Sequence, residues 1–187
     1  MGRMRMETNM KPNEIIEERA RAVAEITARY GCGPEAGEDA DVYYMRAALE
    51  LAEVAARYGD VPVGCVIVRG GEIVAADCNG REVFHDALYH AESAAVSAAC
   101  RKLGGWRLTR STLYVTLEPC PMCAGAIWCA RVPRVVCGAK DAKAGAAGSV
   151  LNMNSYPLNH KFDVTFGVLE KECRGVLTEF FRARRKK

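Results

Sequence analysis

From Asp41 onward the chain alternates between helical and strand-like hydrophobic periods, and this alternation restricts its fold more than any other feature. Tyr43–Tyr58 places Met45, Ala48, Leu49, Leu51, Ala52 and Ala55 at helical spacing. Val63–Val68 and Glu72–Ala76 read as short strands around a turn at Arg69-Gly70-Gly71, the pattern of a hairpin. An alanine-rich helix is predicted over His90–Leu103, a third strand over Thr112–Leu117 and a compact helix over Pro121–Arg131. Arg134–Gly138 and Asp163–Val168 complete the strands, and a last helix starts near Glu170. Strands that alternate with helices imply an α/β sheet with helices on both faces. Between the last two strands, Lys140–Lys161 shows little periodicity. A loop of that length in a compact domain is usually functional or disordered.

The front of the chain reads as a separate piece. Residues 12–30 carry Ile15, Ile16, Val23, Ile26 and Tyr30 at near-helical spacing, opened by Pro12 or Asn13 and ended by Gly31 and Gly33-Pro34. Gly33–Asp41 reads as an acidic linker. The expected division is an arm and linker over residues 1–40 and a domain over residues 41–187. Charge is split in a similar way: residues 1–59 hold 8 basic and 11 acidic side chains (−3), and residues 60–187 hold 18 and 12 (+6), which together make +3. Much of the basic excess lies in the tail FFRARRKK, where Arg182, Arg184, Arg185, Lys186 and Lys187 adjoin Phe180 and Phe181. Such a tail is either a solvated helix end that suits the helix dipole or a contact for single-stranded bases. No stretch approaches the roughly 20 apolar residues of a membrane helix. The start, MGRMRMETNMK, has no apolar run of a secretory signal, and Met6 stands where myristoylation needs Ser or Thr. The cytoplasm is the expected location.

An odd count of nine cysteines without an export signal argues against a disulfide framework. Cys65, Cys100, Cys137 and Cys173 fall in apolar patterns and are expected as reduced core residues. Only Cys120 and Cys123, in Glu118-Pro119-Cys120-Pro121-Met122-Cys123, have a ligand-like spacing. The pair can be a redox couple, half of a structural zinc knot or part of a catalytic metal site. A knot wants a second pair, and no other CxxC exists. Pro121 suits the first position of a helix, which puts Cys120 at the helix start, where the dipole lowers a thiol pKa. A catalytic zinc has three protein ligands with water in the fourth position. The third ligand must come from His85, His90 or His160. His90 opens a predicted helix as Cys120 does, and Glu92 in the same first turn can flank the same space. Singly these residues read as a capping histidine and a first-turn carboxylate; jointly they read as a metal centre.

His90-Ala91-Glu92 with Pro119-Cys120 and Cys123 matches the H-x-E and P-C-x-x-C signature of the zinc-dependent nucleobase deaminases. From about Asp41 to Arg185 the chain resembles the bacterial tRNA-specific adenosine deaminases. The resemblance is carried by VPVGCVIV, NGR, HAES, TLYVTLEPCPMCAGAI, RVPRVVCGAKDAKAGAAGS, PLNHKF, GVLEKEC and FFRARR. It implies a three-layer α/β/α, cytidine-deaminase-like fold with a five-stranded mixed sheet, and a homodimer. It also implies hydrolytic conversion of adenosine to inosine at the wobble position of a tRNA anticodon, ACG of an arginine tRNA. One Zn2+ per subunit is expected on His90, Cys120 and Cys123, with Glu92 as the proton shuttle. Contacts to the anticodon stem-loop are expected from Asn79, Asp141, Lys143, Asn159, Phe180, Phe181 and Arg185.

Two other readings compete. A zinc deaminase of a free nucleobase or nucleotide, of guanine or cytosine type, keeps the chemistry, but the basic tail and the long loop favour RNA. A non-catalytic zinc protein would have no need of Glu92. The chain also departs from the family. Ala87-Leu88-Tyr89 precedes the histidine where relatives often have Pro-Thr-Ala, so Tyr89 either packs or narrows the base pocket. Trp128-Cys129 replaces commonly polar residues near the expected dimer contact. Residues 1–40 have no family counterpart and are expected to form a structural arm, their acidity weighing against an RNA contact.

Overall fold

A computed structural model describes residues 10–185; the leader readings on residues 1–9 and the tail cations Lys186 and Lys187 lie outside the described residues. Among them, the helices are α1 (Pro12–Arg29), α2 (Ala40–Arg57), α3 (Arg81–Phe84), α4 (Ala91–Leu103), α5 (Pro121–Cys129) and α6 (Glu170–Arg185). The strands are β1 (Gly64–Arg69), β2 (Glu72–Cys78), β3 (Ser111–Leu117), β4 (Arg134–Ala139) and β5 (Asp163–Phe166). They form one five-stranded sheet in the order β2-β1-β3-β4-β5. β1 pairs antiparallel with both β2 and β3, whereas β4 runs parallel to β3 and β5. The sheet is therefore mixed, as expected.

Successive side chains of a strand point to opposite faces, and both faces are covered here. Cys65 and Ile67 of β1, with Leu113, Val115, Val135 and Cys137, pack against Ala91, Ala95 and Ala99 of α4 and Ile127 of α5. Val66 and Val68, with Tyr114 and Val136, pack against Met45, Ala48, Leu51 and Ala55 of α2 and Cys173 of α6. This double coverage explains the nearly continuous apolar run of β1. Gly64 is required by the same packing, because a Cβ there would run into the backbone of Ala48 and Ala52 on α2.

Several boundaries differ from the sequence reading for local reasons. α2 starts at Ala40 because the Asp39 carboxylate accepts the N–H groups of Asp41 and Val42. α3 is too short to show a period. The Lys140–Lys161 segment contains a 3-10 turn at Met153–Ser155. Helix α1 lies on the α2 face, where Ile26 joins that core and Ala22, Val23 and Tyr30 pack against it. Cys65, Cys137 and Cys173 are buried, Cys100 is half-buried, and every cysteine in the described residues is a free thiol. Among the described residues no helix is long and apolar enough to cross a membrane.

Candidate active site

Two helix starts meet beside the C-terminal end of β3 and the segment that leads into β1. His90 keeps an extended backbone (φ −83°, ψ 155°) as the residue before α4, with Ser93 Oγ accepting its N–H at 3.2 Å. Cys120 does the same before α5 (φ −71°, ψ 172°), and Pro121 occupies the first helical position. One turn into α5, Cys123 faces the same point. The Nδ1 atom of His90 lies 3.6 Å from Cys120 Sγ and 3.5 Å from Cys123 Sγ. Among the described residues His90, Cys120 and Cys123 form the single group of three donors close enough to share a metal ion. Tetrahedral zinc, at about 2.0–2.1 Å from nitrogen and about 2.3 Å from sulfur, places such atoms roughly 3.6 Å apart. These donors fit zinc in both type and spacing.

The electrostatics favour the thiolate at one of the two cysteines. A hydrogen bond with Cys123, opposed by burial and reinforced by His90, brings the Cys120 thiol down to about 4. The partner thiol Cys123 is held up, first by that same hydrogen bond and then by burial. Glu92 is 4% exposed beside this set but is not part of it. Burial pushes its carboxyl up to about 7, against the pull of its own backbone N–H and of the His90 imidazole.

A cavity of about 170 Å³ opens over the cluster, lined by His90, Glu92 and Cys120 together with Asn79, Arg81 and Asp141. Asn79 is 5% exposed. Its Nδ2 donates to Val61 O at 3.1 Å, while its Oδ1 is buried without a partner. The Asn-Gly pair makes no turn here; Asn79 is tied to the segment before β1 and leaves an acceptor at the cavity wall. Asp141 caps its own loop, accepting the N–H groups of Lys143 and Ala144. That loop is tied down by Glu118, which is 2% exposed. Its carboxylate accepts the N–H groups of Asp141, Ala147 and Ser149 at 3.0 Å each, and the Ser149 hydroxyl.

The remaining expected contacts fall into a second region. Lys143, Phe181 and Arg185 line a shallow basin with Leu177, Thr178 and Arg184. Phe180 packs edge-to-face on Phe181 and lies beneath the Arg184 guanidinium, outside the basin lining. Asn159 is exposed and lines neither cavity. Tyr89 is turned into packing: its ring stacks on Phe84 with centroids 4.2 Å apart, and it is absent from the cavity wall. Sequence reasoning missed Arg81 and Glu118. The signal for Glu118 was a carboxylate between an apolar strand and a helix start, a place that asks for backbone partners.

A mixed sheet that aims two helix N-termini at one His–Cys–Cys set, with a buried carboxylate alongside, defines a zinc-dependent hydrolytic deaminase. In keeping with this, residues 38–139 match the family model of the cytidine and deoxycytidylate deaminase zinc-binding region. The tRNA-specific adenosine deaminase of Bacillus subtilis (strain 168) is 49% identical over 148 residues, covering 79% of this chain and 92% of the relative. A solved structure from work on A-to-I editing by tRNA:A34 deaminases at the wobble position superposes with a TM-score of 0.71 at 41% identity, over 72% of this chain and 99% of that one. A guanine deaminase structure from Bacillus subtilis is more distant, with a TM-score of 0.51 and 30% identity over 77% of this chain and 92% of that one. The chain belongs to the tRNA-specific adenosine deaminase family.

Proposed function

We propose that this protein deaminates adenosine to inosine at the wobble position of a tRNA anticodon, with an ACG-bearing arginine tRNA as the first substrate to test. The observation that carries an RNA substrate is the loop after β4. Asp141 and Ala144 line the catalytic cavity, while Lys143 between them lines the basic basin of α6. A base in the cavity would therefore sit next to a groove suited to the phosphates and bases that flank it. A free base needs no such groove.

His90, Cys120 and Cys123 would hold the zinc, which when bound supplies a water acidic enough to act as a nucleophile near neutral pH. Glu92 lies where it can take a proton from the attacking water and deliver it to the ring nitrogen of the base. It would then take the second proton of that water from the new hydroxyl and pass it to the exocyclic amine, which leaves as ammonia as the C–N bond breaks and the C–O bond becomes the carbonyl. Burial suits Glu92 to this work, since a carboxyl titrating near neutrality both takes and gives protons. The unpartnered Oδ1 of Asn79 would accept an N–H or O–H of the nucleoside and fix its orientation. Lys143, Phe181 and Arg185 would hold the anticodon loop, with Phe180 setting Arg184 and Asn159 reaching the RNA from its exposed loop.

The same reading carries a homodimer and a cytoplasmic location. The half-buried Trp128 and the exposed Cys129, near the end of α5, are the side chains that would meet the second copy. Incubation of the zinc-loaded protein with the arginine tRNA, followed by sequencing, should reveal inosine at the first anticodon position. Deamination of free guanine or cytosine without inosine in the tRNA would overturn the proposal.

A further inference from the structure

Helix α1 precedes the matched family region, which begins at residue 38, yet one of its side chains reaches the backbone that builds the catalytic cavity. Arg19 is 3% exposed on a helix whose neighbouring positions are mostly exposed. Its guanidinium donates to Asp77 Oδ1 at 2.6 Å and to the carbonyl of Cys78 at 2.5 Å. It also lies 5.0 Å from the ring centre of Phe84 and 5.2 Å from that of Tyr89, the stacked pair. The other oxygen of Asp77 accepts the Tyr89 hydroxyl at 3.1 Å, and the N–H of Gly80 donates to Tyr89 O at 3.1 Å. Packing between these parts is tight: a Cβ on Gly80 would collide with the rings of Phe84 and Tyr89.

Two chain segments meet in this cluster. Asp77-Cys78 leads directly into Asn79, and Tyr89 leads directly into His90. We infer that Arg19 is a positioning residue that acts through Asp77 and Tyr89 to fix the spacing between the zinc ligand His90 and the base-facing amide of Asn79. A buried cation bonded to strand β2 and facing the Phe84–Tyr89 stack fixes both segments in one geometry. Its Nη2 serves both acceptors while the guanidinium faces the aromatic pair, so one charged group engages both segments at once. The departure at Tyr89 and the placement of α1 then have one explanation: the tyrosine is the receiving half of a brace supplied by the helix that precedes the matched region.

The inference rests on the proposed roles of His90 and Asn79, so its test reads the metal centre directly. Wild-type protein, Arg19→Met, Arg19→Lys and Tyr89→Phe would be loaded with Co2+ in place of Zn2+, and the visible ligand-field spectrum and Co2+ affinity measured. Ile26→Val serves as a control that weakens the packing of α1 away from the cluster. Arg19→Met is expected to shift the cobalt bands and weaken Co2+ binding by about 10-fold, in the range seen when partners behind metal ligands are removed. Arg19→Lys should restore part of both, Tyr89→Phe should follow Arg19→Met in kind, and Ile26→Val should keep the wild-type spectrum. If Arg19→Met does not fold, the lysine and phenylalanine variants decide alone. Wild-type spectra and affinities in the Arg19 and Tyr89 variants, with only the melting temperature lowered, would overturn the inference and leave α1 a simple brace. Failure of the wild-type protein to bind Co2+ would overturn this inference together with the zinc reading.

Discussion

Glu118 offers a test of how the cavity wall is held, and the magnitude can be worked from its partners. The Glu118→Ala substitution removes the acceptor for three backbone N–H groups and for the Ser149 hydroxyl. Ala147 is buried, so its N–H would have no water to turn to. An orphaned buried donor costs about 1–3 kcal/mol. Asp141 and Ser149 are more accessible, so their N–H groups can be rehydrated and lose only the net bond, about 0.5–1.5 kcal/mol each. The three N–H groups together come to roughly 2–6 kcal/mol, which for a chain of this size lowers the melting temperature by roughly 4–24 °C. Glu118→Gln should lie between. Its carbonyl can still serve Ala147 and Ser149, while its NH2 group opposes the Asp141 N–H, at a cost of about 1–3 kcal/mol.

Urea unfolding with zinc held in excess measures the stability loss, and hydrogen exchange at Ala147 locates it. Because Asp141 and Ala144 line the cavity and Lys143 the basin, steady-state kinetics on tRNA should also show a raised KM in both variants, larger for alanine. A Glu118→Ala protein that lost less than about 1 kcal/mol would refute the reasoning, since a single orphaned N–H already exceeds it. So would a full loss of stability with Ala147 exchange unchanged, because the carboxylate would then be acting elsewhere.

Three further outcomes are expected. Glu92→Ala should retain one zinc per chain by elemental analysis while turnover falls by at least about 100-fold, the lower end of what a positioned acid–base group contributes; an active variant would remove the proton-shuttle role. Asp41 accepts both Nη atoms of Arg134, at 2.8 and 2.6 Å, and the Tyr114 hydroxyl at 3.0 Å. The Arg134 hydrogen bonds hold its carboxyl below the ordinary carboxylate range despite partial burial. A depressed folded-state pKa gives stability that is complete above the unfolded value, about 3.9, and is lost as pH falls through the folded value. The unfolding midpoint of wild type relative to Asp41→Asn should therefore be constant at neutral pH and converge below about pH 4, the increment being about 1 kcal/mol for so accessible a pair. Finally, Lys143→Ala and Arg185→Ala should each reduce the salt slope of tRNA binding by about 0.7, the value for one lost phosphate contact on a single strand; filter binding across a salt series gives the slope, and an unchanged one would place these cations off the RNA.

What was legible in the sequence and what was not follows from the range of the interactions concerned. The strand faces could be read because alternation is local: Cys65 and Ile67 enter one core, Val66 and Val68 the other. The His–Cys–Cys cluster could be read because each donor sits at or within one turn of a helix start, where Pro121 and the HAE segment mark the geometry in a few residues. Asn79 was ambiguous between turn and site; the structure shows no turn there, its N–H and Nδ2 instead donating to the carbonyls of Val63 and Val61 ahead of β1 while its Oδ1 is left over. Glu118 escaped because its partners are backbone N–H groups 23 to 31 residues away, which carry no side-chain signature.

Arg19 and Tyr89 mark the far end of that scale. Their common partner Asp77 lies 58 residues from Arg19 and 12 from Tyr89, and nothing in either neighbourhood announces the pairing. Helix α1 was set apart as an arm because glycines and an acidic linker follow it and because residues 1–40 have no family counterpart, none of which bears on what its buried face touches. Its one deeply buried cation says the opposite, since a charge is brought into an apolar interface only where paired acceptors await it. The family model covers residues 38–139, so a helix in front of it and an unexpected tyrosine within it look like two unrelated features. Side by side in space they complete each other, and an unexpected residue next to a metal ligand is then better matched to what the rest of the chain has added than to the residue it replaced.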